Sequence, residues 1–155
     1  LGNIGYQNNK EDLAGIKACY DSVDCYAESL QCAIRTPNPA YQKIGVKING
    51  EYRQLNTSIL QIENEYYSTV RPKPLLHANE SPANALKKHG IAYIELRSID
   101  VNAYDPHGIH SEQLYFLEVF MLFCLLHDSP PLSDSEINTI DQNLLLVAHQ
   151  SYAVK

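Results

Sequence analysis

A carboxylate and a guanidinium lie two residues apart in the sequence GIAYIELRSID, residues 90–100. The run is apolar and partly β-branched, which predicts a strand with Glu95 and Arg97 on the same face. Tyr93 and Ile99 flank the pair on that face, so desolvation of the two charges would be costly without a bound partner. A magnesium–nucleotide site needs a carboxylate and a guanidinium. The spacing therefore predicts half of a metal–phosphate site.

The alternative interpretation is a surface ion pair on a half-exposed strand, worth less than about 1 kcal/mol. The preceding segment IENEYY and Arg71 add carboxylates, an amide and a second guanidinium. Alternation alone leaves open whether Glu63 and Glu65 line the site or face solvent. His107 and His110 have a spacing that suits a metal, but they lie in a predicted loop without further ligands, which favours a solvated loop.

Several patterns predict the elements that position these residues. Apolar residues at a helical period predict a helix over residues 11–35, which Thr36 and the prolines after it would end. Asn49 and Gly50 lie between two short alternating runs and predict a tight hairpin. The run SILQIENEYY, residues 58–67, predicts another strand, and STVRPKP after it predicts a loop.

The remaining helices carry clear terminal residues. Ser81 and Pro82 begin a short helix that Gly90 ends, directly before the strand of residues 91–101. The segment SEQLYFLEVFMLFCLLHD, residues 111–128, predicts a largely buried helix, and Ser133 with Glu136 predicts a capping box at the start of a last helix. The order predicts an α+β fold. Three or four antiparallel strands would come from residues 44–67 and 91–101, with Glu95 on the concave face and helices on one side.

Composition bounds the class of protein. A chain of 155 residues with 45% hydrophobic residues predicts one globular domain. The net charge of -6, with no basic stripe, argues against nucleic acid as a partner. The run YFLEVFMLFCLL is short for a membrane span and contains Glu118, so no membrane partner is expected.

The four cysteines form no CxxC pair. Their spacing predicts reduced, buried cysteines without a disulfide, as in a cytoplasmic protein. The chain begins with Leu1, and its only methionine is Met121. We therefore expect it to be part of something longer.

Two segments resemble a known family. YIELRSIDVNAYDP resembles the strand of the glutamine synthetase superfamily with the pattern E-x-R-S-x-D followed by N-P. LQIENEYYSTVRPK, together with the chain from residue 1 to about 149, resembles glutamate–cysteine ligase of the proteobacterial type. The resemblance implies part of a glutamine synthetase-like antiparallel sheet or open barrel with helices packed on one side. Residues 1–155 would be the C-terminal part of the catalytic domain, with the N-terminal half absent.

The resemblance also implies roles for individual residues. Glu95 matches a magnesium ligand, and Arg97 matches a catalytic arginine that contacts the transferring phosphate. Arg71 matches an arginine that lies toward ATP, and Tyr6 matches a tyrosine of the cysteine pocket. The family's Asn-Pro is replaced by Asn102 and the Ala-Tyr that follows it, so the loop after the strand departs from the pattern.

The implied reaction is ATP- and Mg²⁺-dependent ligation of the γ-carboxylate of L-glutamate to L-cysteine through a γ-glutamyl phosphate, the first step of glutathione biosynthesis. The expected partners are small-molecule substrates. Residues 1–155 alone would be inactive and would self-associate through an open sheet edge. Two alternatives stay open, a γ-glutamyl ligase with another amine acceptor and a non-catalytic interaction domain.

Overall fold

The structure, a computed structural model, describes residues 17–150. In chain order, its elements are α1 (Val23–Arg35), α2 (Pro39–Ile44), β1 (Lys47–Ile48), β2 (Glu51–Tyr52), a 3₁₀ turn (Glu63–Glu65), β3 (Val70–Lys73), α3 (Pro82–His89), β4 (Tyr93–Leu96), α4 (Ser111–Leu126) and α5 (Asp134–Gln150). The mixture of helices and antiparallel strands agrees with the predicted α+β class. The described strands form two separate pairs, β1–β2 and β3–β4, and not one sheet of three or four strands.

The predicted helix over residues 11–35 begins later than its periodicity suggests. Residues 11–16 lie outside the described part of the chain, and residues 17–20 are not helical. Helix α1 begins at Val23, where the Oγ atom of the N-cap residue Ser22 accepts a hydrogen bond from the Cys25 N–H at 3.0 Å. Because a serine at this position satisfies an unpaired N–H of the first turn, it fixes the start of the helix.

The prediction that the cysteines form no disulfide is wrong, because Cys19 and Cys25 are bonded to each other. A continuous helix through both residues would separate them by a rise of about 9 Å. Because Cys19 precedes the helix, the two Cα atoms lie 5.5 Å apart instead, within the usual range for a disulfide. Cys32 and Cys124 are free, but both are exposed and not buried as predicted.

Helices α1 and α3 pack against each other and form the centre of the core. Tyr26 and Leu30 of α1, Tyr66 after the 3₁₀ turn and Leu86 of α3 are buried together. Fully buried alanines on both helices add to this core: Ala27, Ala33, Ala83 and Ala85. Their small side chains let the two backbones approach closely.

The hairpin predicted at Asn49 and Gly50 is confirmed. Lys47 pairs with Tyr52 and Ile48 with Glu51 across the turn. Asn49 has φ 51° and Gly50 has φ 89°, so both central residues adopt the positive φ values that a type I′ turn requires.

The predicted strand over residues 58–67 is wrong. Most of this segment is irregular and ends in the 3₁₀ turn. The Ile59 N–H donates to the Thr36 carbonyl oxygen at 2.9 Å, and the Leu60 N–H donates to the Ala33 carbonyl oxygen at 3.2 Å. Both acceptors lie at the C-terminal end of α1, where helix carbonyls lack partners within the helix. The segment therefore bonds to the helix end and not to a neighbouring strand.

The segment predicted as the loop STVRPKP instead contains β3. This strand pairs antiparallel with β4, which confirms the core of the strand predicted over residues 91–101. Pro72 lies opposite Ile94. The Arg97 N–H donates to the Thr69 carbonyl oxygen at 2.8 Å, so these two residues form a hydrogen-bonded pair. Hydrogen-bonded and non-hydrogen-bonded pairs alternate along an antiparallel ladder. The pair of Pro72 with Ile94 is therefore a non-hydrogen-bonded one. The missing N–H of proline therefore costs no ladder bond.

The predicted caps of the later helices are confirmed. The Ser81 Oγ atom accepts from the Asn84 N–H at 3.4 Å, and the Gly90 N–H donates to the Leu86 carbonyl oxygen at 2.9 Å. Before α5, the Glu136 carboxylate accepts from the Ser133 N–H at 2.8 Å and from its hydroxyl at 2.6 Å. These two bonds lower the pKa of Glu136 below its usual value.

The prediction that the helix at residues 111–126 is largely buried is wrong for the described chain, because α4 has no buried residue. Its composition indicates burial, but burial also needs a second apolar surface, and the described residues place none against it. No helix in the described part of the chain is both long and apolar enough to cross a membrane.

Candidate functional site

The β3–β4 ladder brings together the charged residues that the sequence singles out. Arg71 lies directly opposite Glu95, and Lys73 lies opposite Tyr93. Because side chains alternate along a strand, these residues and Arg97 share one face of the pair. The ladder therefore gathers three cationic side chains and one carboxylate.

The Glu95 carboxylate is the centre of this cluster. Its Oε2 atom lies 3.6 Å from the Lys73 Nζ atom, and its Oε1 atom lies 3.9 Å from the Arg97 Nε atom. Both separations are ion-pair distances and are longer than a good hydrogen bond. The Oε2 atom is buried and accepts no hydrogen bond from any residue that the structure describes. A buried carboxylate oxygen that accepts no hydrogen bond retains capacity to bind a cation besides the nearby Lys73 ammonium.

Arg97 is oriented by its neighbours. Its guanidinium lies over the Tyr67 ring, 4.5 Å from the centroid, in a cation–π contact. Its backbone N–H is fixed by the bond to Thr69. About a third of its side chain (32%) is exposed, so the guanidinium can still meet a ligand from solvent.

Arg71 has a different environment from Arg97. It is buried, with 8% of its surface exposed, and its Nη2 atom lies 3.4 Å from the Asn64 carbonyl oxygen. It also interacts with the hydroxyl of Tyr26, whose pKa is raised to about 12, chiefly by burial and further by Tyr20, while Arg71 opposes the rise. The guanidinium therefore has interior partners, and a contact between Arg71 and ATP stays a prediction.

The two glutamates left unassigned by the sequence both have structural partners. Glu63 is buried, and its Oε2 atom accepts from the Ala83 N–H at 2.7 Å, in the first turn of α3. The Glu65 Oε2 atom accepts from the Gln61 N–H at 2.6 Å. Neither carboxylate joins Glu95, because both bond to backbone N–H groups.

The other candidate residues do not join the cluster. Tyr6 lies outside the described residues, so its predicted role in a cysteine pocket stays a prediction. The loop with His107 and His110 is solvated, as expected. Asp105 accepts from the His107 N–H at 2.8 Å, and the His110 ring accepts from the Glu112 N–H at 3.4 Å at the start of α4.

A cavity of about 490 Å³ lies beside the N-terminal end of β3. Thr69 and Val70 of that end line it, together with the disulfide residue Cys19 and the apolar side chains of Ile140 and Leu144 from α5. Thr69 also holds the backbone of Arg97, so the wall of the cavity and the charged cluster share one end of the ladder.

The donor set can be compared with the requirements of Mg²⁺. This ion is bound through one or two carboxylates together with substrate phosphates and water. Glu95 supplies one carboxylate whose buried oxygen accepts no hydrogen bond from the described residues, and Lys73 and Arg97 supply positive charge for the phosphates. The residues present therefore fit a magnesium–phosphate ligand.

Sequence reasoning found Glu95 and Arg97 but missed two neighbours. Lys73 was overlooked because the prolines of STVRPKP predicted a loop, although the alternation of Arg71 and Lys73 places both on one strand face. Tyr67 was overlooked because one of eleven tyrosines carries no distinctive spacing.

The fold and the cluster define a mixed helix-and-strand protein whose small antiparallel sheet carries a site suited to an anionic ligand. The family model described as glutamate-cysteine ligase matches residues 1–147. The chain therefore belongs to the glutamate–cysteine ligase family, and the family resemblance of the two strand motifs is confirmed.

Individual relatives agree with this assignment. The chain is 45% identical over 150 residues to the glutamate–cysteine ligase of Pseudomonas paraeruginosa, covering 97% of this chain and 28% of the relative. It is 42% identical over 153 residues to that of Hahella chejuensis, covering 99% of this chain and 29% of the relative. The chain thus spans less than a third of these relatives.

A solved structure is similar as well. The glutamate–cysteine ligase of Francisella tularensis in complex with AMP matches with a TM-score of 0.81 and 38% identity. The match covers 92% of this chain and 28% of that protein. Most of this chain therefore has the same fold as the matching part of that protein.

Proposed function

We propose that this chain supplies part of the Mg-ATP site of a glutamate–cysteine ligase. The whole enzyme would join the γ-carboxylate of L-glutamate to the amine of L-cysteine at the expense of ATP. The observation that carries this proposal is the Glu95 carboxylate, whose Oε2 atom is buried without a hydrogen bond between cationic side chains. Its family membership and a related ligase solved with AMP support the same reaction.

In the first step, an oxygen of the glutamate γ-carboxylate attacks the terminal phosphorus of ATP. The bond between that phosphorus and the bridging oxygen breaks, ADP leaves, and a γ-glutamyl phosphate forms. Arg97 presents fixed N–H donors that would follow the phosphoryl oxygens as their charge changes. The cation–π contact with Tyr67 restrains the Arg97 side chain and lowers the entropy lost on binding.

Glu95 would hold Mg²⁺, which neutralises phosphate charge when bound. Lys73 would add a point charge next to the same phosphates, and its ion pair with Glu95 keeps the ammonium near the site before ATP arrives. In this proposal Arg71, opposite Glu95 in the ladder, adds to the positive field, and its direct contact with ATP stays a prediction.

In the second step, the cysteine nitrogen attacks the acyl carbon, a C–N bond forms, and phosphate leaves with its oxygen while the amine loses a proton. Charge again develops on phosphate oxygens, so the same donors serve both steps. Tyr6 is the residue of this chain that we propose for the cysteine pocket.

The test is substitution in the intact ligase chain. Arg97→Lys should lower kcat about 10²-fold, because lysine cannot reproduce the planar fork of donors. Glu95→Gln should raise the Mg²⁺ concentration needed for half-maximal rate. Both effects are measured by glutamate-dependent ADP formation and by γ-glutamylcysteine formation.

The chain contains a matched control with the same spacing. Glu51 and Arg53 form an exposed Glu-x-Arg pair at β2, with 3.2 Å between the Glu51 Oε2 and Arg53 Nη2 atoms. Glu51→Gln and Arg53→Lys should leave both rates near wild type. Wild-type turnover of the Arg97 and Glu95 variants would show that their pair is structural and would favour an interaction domain. Turnover with another amine in preference to cysteine would favour a different γ-glutamyl ligase.

A further inference from the structure

Two histidines and a carboxylate meet beside α3, apart from the Glu95 cluster. His77 follows β3, Glu80 precedes the N-cap of α3, and His89 is the last residue of that helix. A turn closed by the Glu80 N–H and the His77 carbonyl oxygen, at 3.2 Å, folds this segment back. One ligand atom from each of the three side chains lies within 4.8 Å of the other two.

The three side chains lie near enough to one another to converge on one ion. The Glu80 Oε2 and His89 Nε2 atoms are 3.2 Å apart, and the centroids of the two imidazole rings are 4.9 Å apart. Tetrahedral zinc binds oxygen and nitrogen at about 2.0–2.2 Å, which places neighbouring ligand atoms about 3.3 Å from each other. Glu80 and His89 are hydrogen-bonded to each other at close to this separation, and the His77 ligand atom lies within 4.8 Å of both.

A lysine also lies beside this cluster. The Lys88 Nζ atom lies 3.8 Å from the Glu80 Oε1 atom, and its side chain is 71% exposed. It therefore pairs weakly with the carboxylate oxygen that His89 does not contact. The Glu80 side chain is only 15% exposed, so the oxygen that faces His89 is held in a fixed place.

We propose that His77, Glu80 and His89 bind a divalent transition-metal ion of the zinc type. Imidazole suits zinc and its neighbours in the first transition row, whereas Mg²⁺ prefers oxygen ligands, so this site and the Glu95 site select different ions. Three protein ligands leave the fourth position of a tetrahedral ion open to water or to an added ligand.

The position of the site gives it a consequence for the strand pair. Residues 74–92 connect β3 to β4, and the Ala92 N–H closes the base of this connection by donating to the Lys73 carbonyl oxygen at 2.8 Å. An ion held by His77 and His89 ties the outgoing part of the connection to its return. Such a tie restricts the unfolded chain and holds the ends of the strands that carry Lys73 and Glu95.

Equilibrium dialysis of the intact ligase chain against Zn²⁺, in the presence of excess Mg²⁺, measures this site directly. Wild type should bind one more equivalent of Zn²⁺ than His77→Ala. Glu80→Gln should weaken Zn²⁺ affinity by more than the roughly 10- to 100-fold that loss of an outer-sphere partner costs. Co²⁺ in place of Zn²⁺ should give a visible absorption band that His77→Ala abolishes.

The matched control is His107→Ala, because His107 is also an exposed loop histidine beside a carboxylate, 3.4 Å from Asp105. This variant should bind as much Zn²⁺ as wild type. The proposal would be overturned if wild type and His77→Ala bound the same number of Zn²⁺ equivalents. It would also be overturned if His107→Ala lost as much bound Zn²⁺ as His77→Ala. His77 lies outside every helix and strand, so its replacement tests the site even where replacement of His89 unfolds α3.

Discussion

At the scale of single residues, the buried guanidinium of Arg71 and the hydroxyl of Tyr26 form a hydrogen-bonded pair. A buried charge is costly unless it is paired or hydrogen-bonded, and Tyr26 and the Asn64 carbonyl supply those partners. Tyr26 belongs to the apolar core, together with Leu30 and Tyr66. The pair therefore links the packing of α1 to the strand that carries Lys73.

The burial of the Tyr26 hydroxyl predicts a loss of stability in alkaline solution. The pKa of Tyr26 is raised to about 12 in the fold, above the usual value of about 10. Between these two pH values the Tyr26 hydroxyl has lost its proton in the unfolded chain but retains it in the folded chain. The contribution of Tyr26 to the free energy of unfolding is therefore complete below pH 10 and declines as pH rises toward 12. Tyr26→Phe should reduce this alkaline slope, measured as the free energy of unfolding in urea against pH.

The change in the free energy of unfolding with pH is the quantity to compare between wild type and Tyr26→Phe. The free energy at neutral pH is less informative, because the variant also loses a hydroxyl contact with Arg71. Tyr104→Phe removes a hydroxyl from a side chain that is 99% exposed and serves as the control for removal of a hydroxyl at the surface. An alkaline slope in Tyr26→Phe as steep as in wild type would contradict the assignment.

The candidate site was predictable from sequence only in part. Glu95 and Arg97 stand out because unlike charges alternate on a strand among apolar neighbours. The partners that give Glu95 its environment come from β3, and pairing with a distant strand leaves little local trace. The buried state of Arg71 depends on Tyr26, which lies far away in the sequence, so no local pattern shows it.

At the scale of elements, the 3₁₀ turn supports the start of α3. The Glu63 carboxylate accepts from the Ala83 N–H, and negative charge is also favourable beside a helix N-terminus. Glu63→Ala would leave that buried N–H unpaired and should destabilise the fold by about 1–3 kcal/mol. Glu63→Gln keeps an oxygen acceptor and should cost less. Urea unfolding of each variant measures both effects.

A neighbouring residue on the same turn provides the comparison. Glu65 is exposed and accepts from the Gln61 N–H, so water can replace its bond when the side chain is removed. Glu65→Ala should therefore destabilise the fold less than Glu63→Ala. The reverse order would show that the contact between Glu63 and α3 contributes little.

Elements whose ends are determined by adjacent capping or turn residues were predicted well. Elements that depend on contacts with distant parts of the chain were not. Ser81 and Gly90 bound α3, and Asn49 with Gly50 forms the hairpin, because caps and turns are determined by a few adjacent residues. The segment 58–67 alternates like a strand, but the N–H groups of Ile59 and Leu60 bond to the end of α1. Its structure was therefore decided by tertiary contacts that alternation does not encode.

At the scale of the whole molecule, two kinds of surface remain open in the described chain. The strands β3 and β4 pair only with each other among the described residues, so each presents an outer edge. Helix α4 exposes large apolar side chains: Leu114, Tyr115, Phe116, Val119, Phe120, Leu122, Phe123, Leu125 and Leu126. Unpaired strand edges and large apolar patches both favour association.

Residues 1–155 produced alone should therefore self-associate and show no γ-glutamylcysteine formation. We expect association through the sheet edge, with Ile94→Pro shifting the polypeptide toward monomer in sedimentation velocity. Ile94 lies in the same non-bonded pair as Pro72, so its N–H points away from β3 and proline removes only an outward donor. Ile94→Ala retains that donor and should associate like wild type.

A second variant separates the edge from the helix. Leu125→Asp places a charge on α4, where the leucine is 79% exposed, and it should leave edge-mediated association unchanged. If Leu125→Asp were monomeric while Ile94→Pro still associated, the self-association contact would lie on α4. This result would contradict the prediction that the chain associates through the strand edge. Ligase activity of residues 1–155 alone would contradict the proposal that the rest of the enzyme is needed to complete the site.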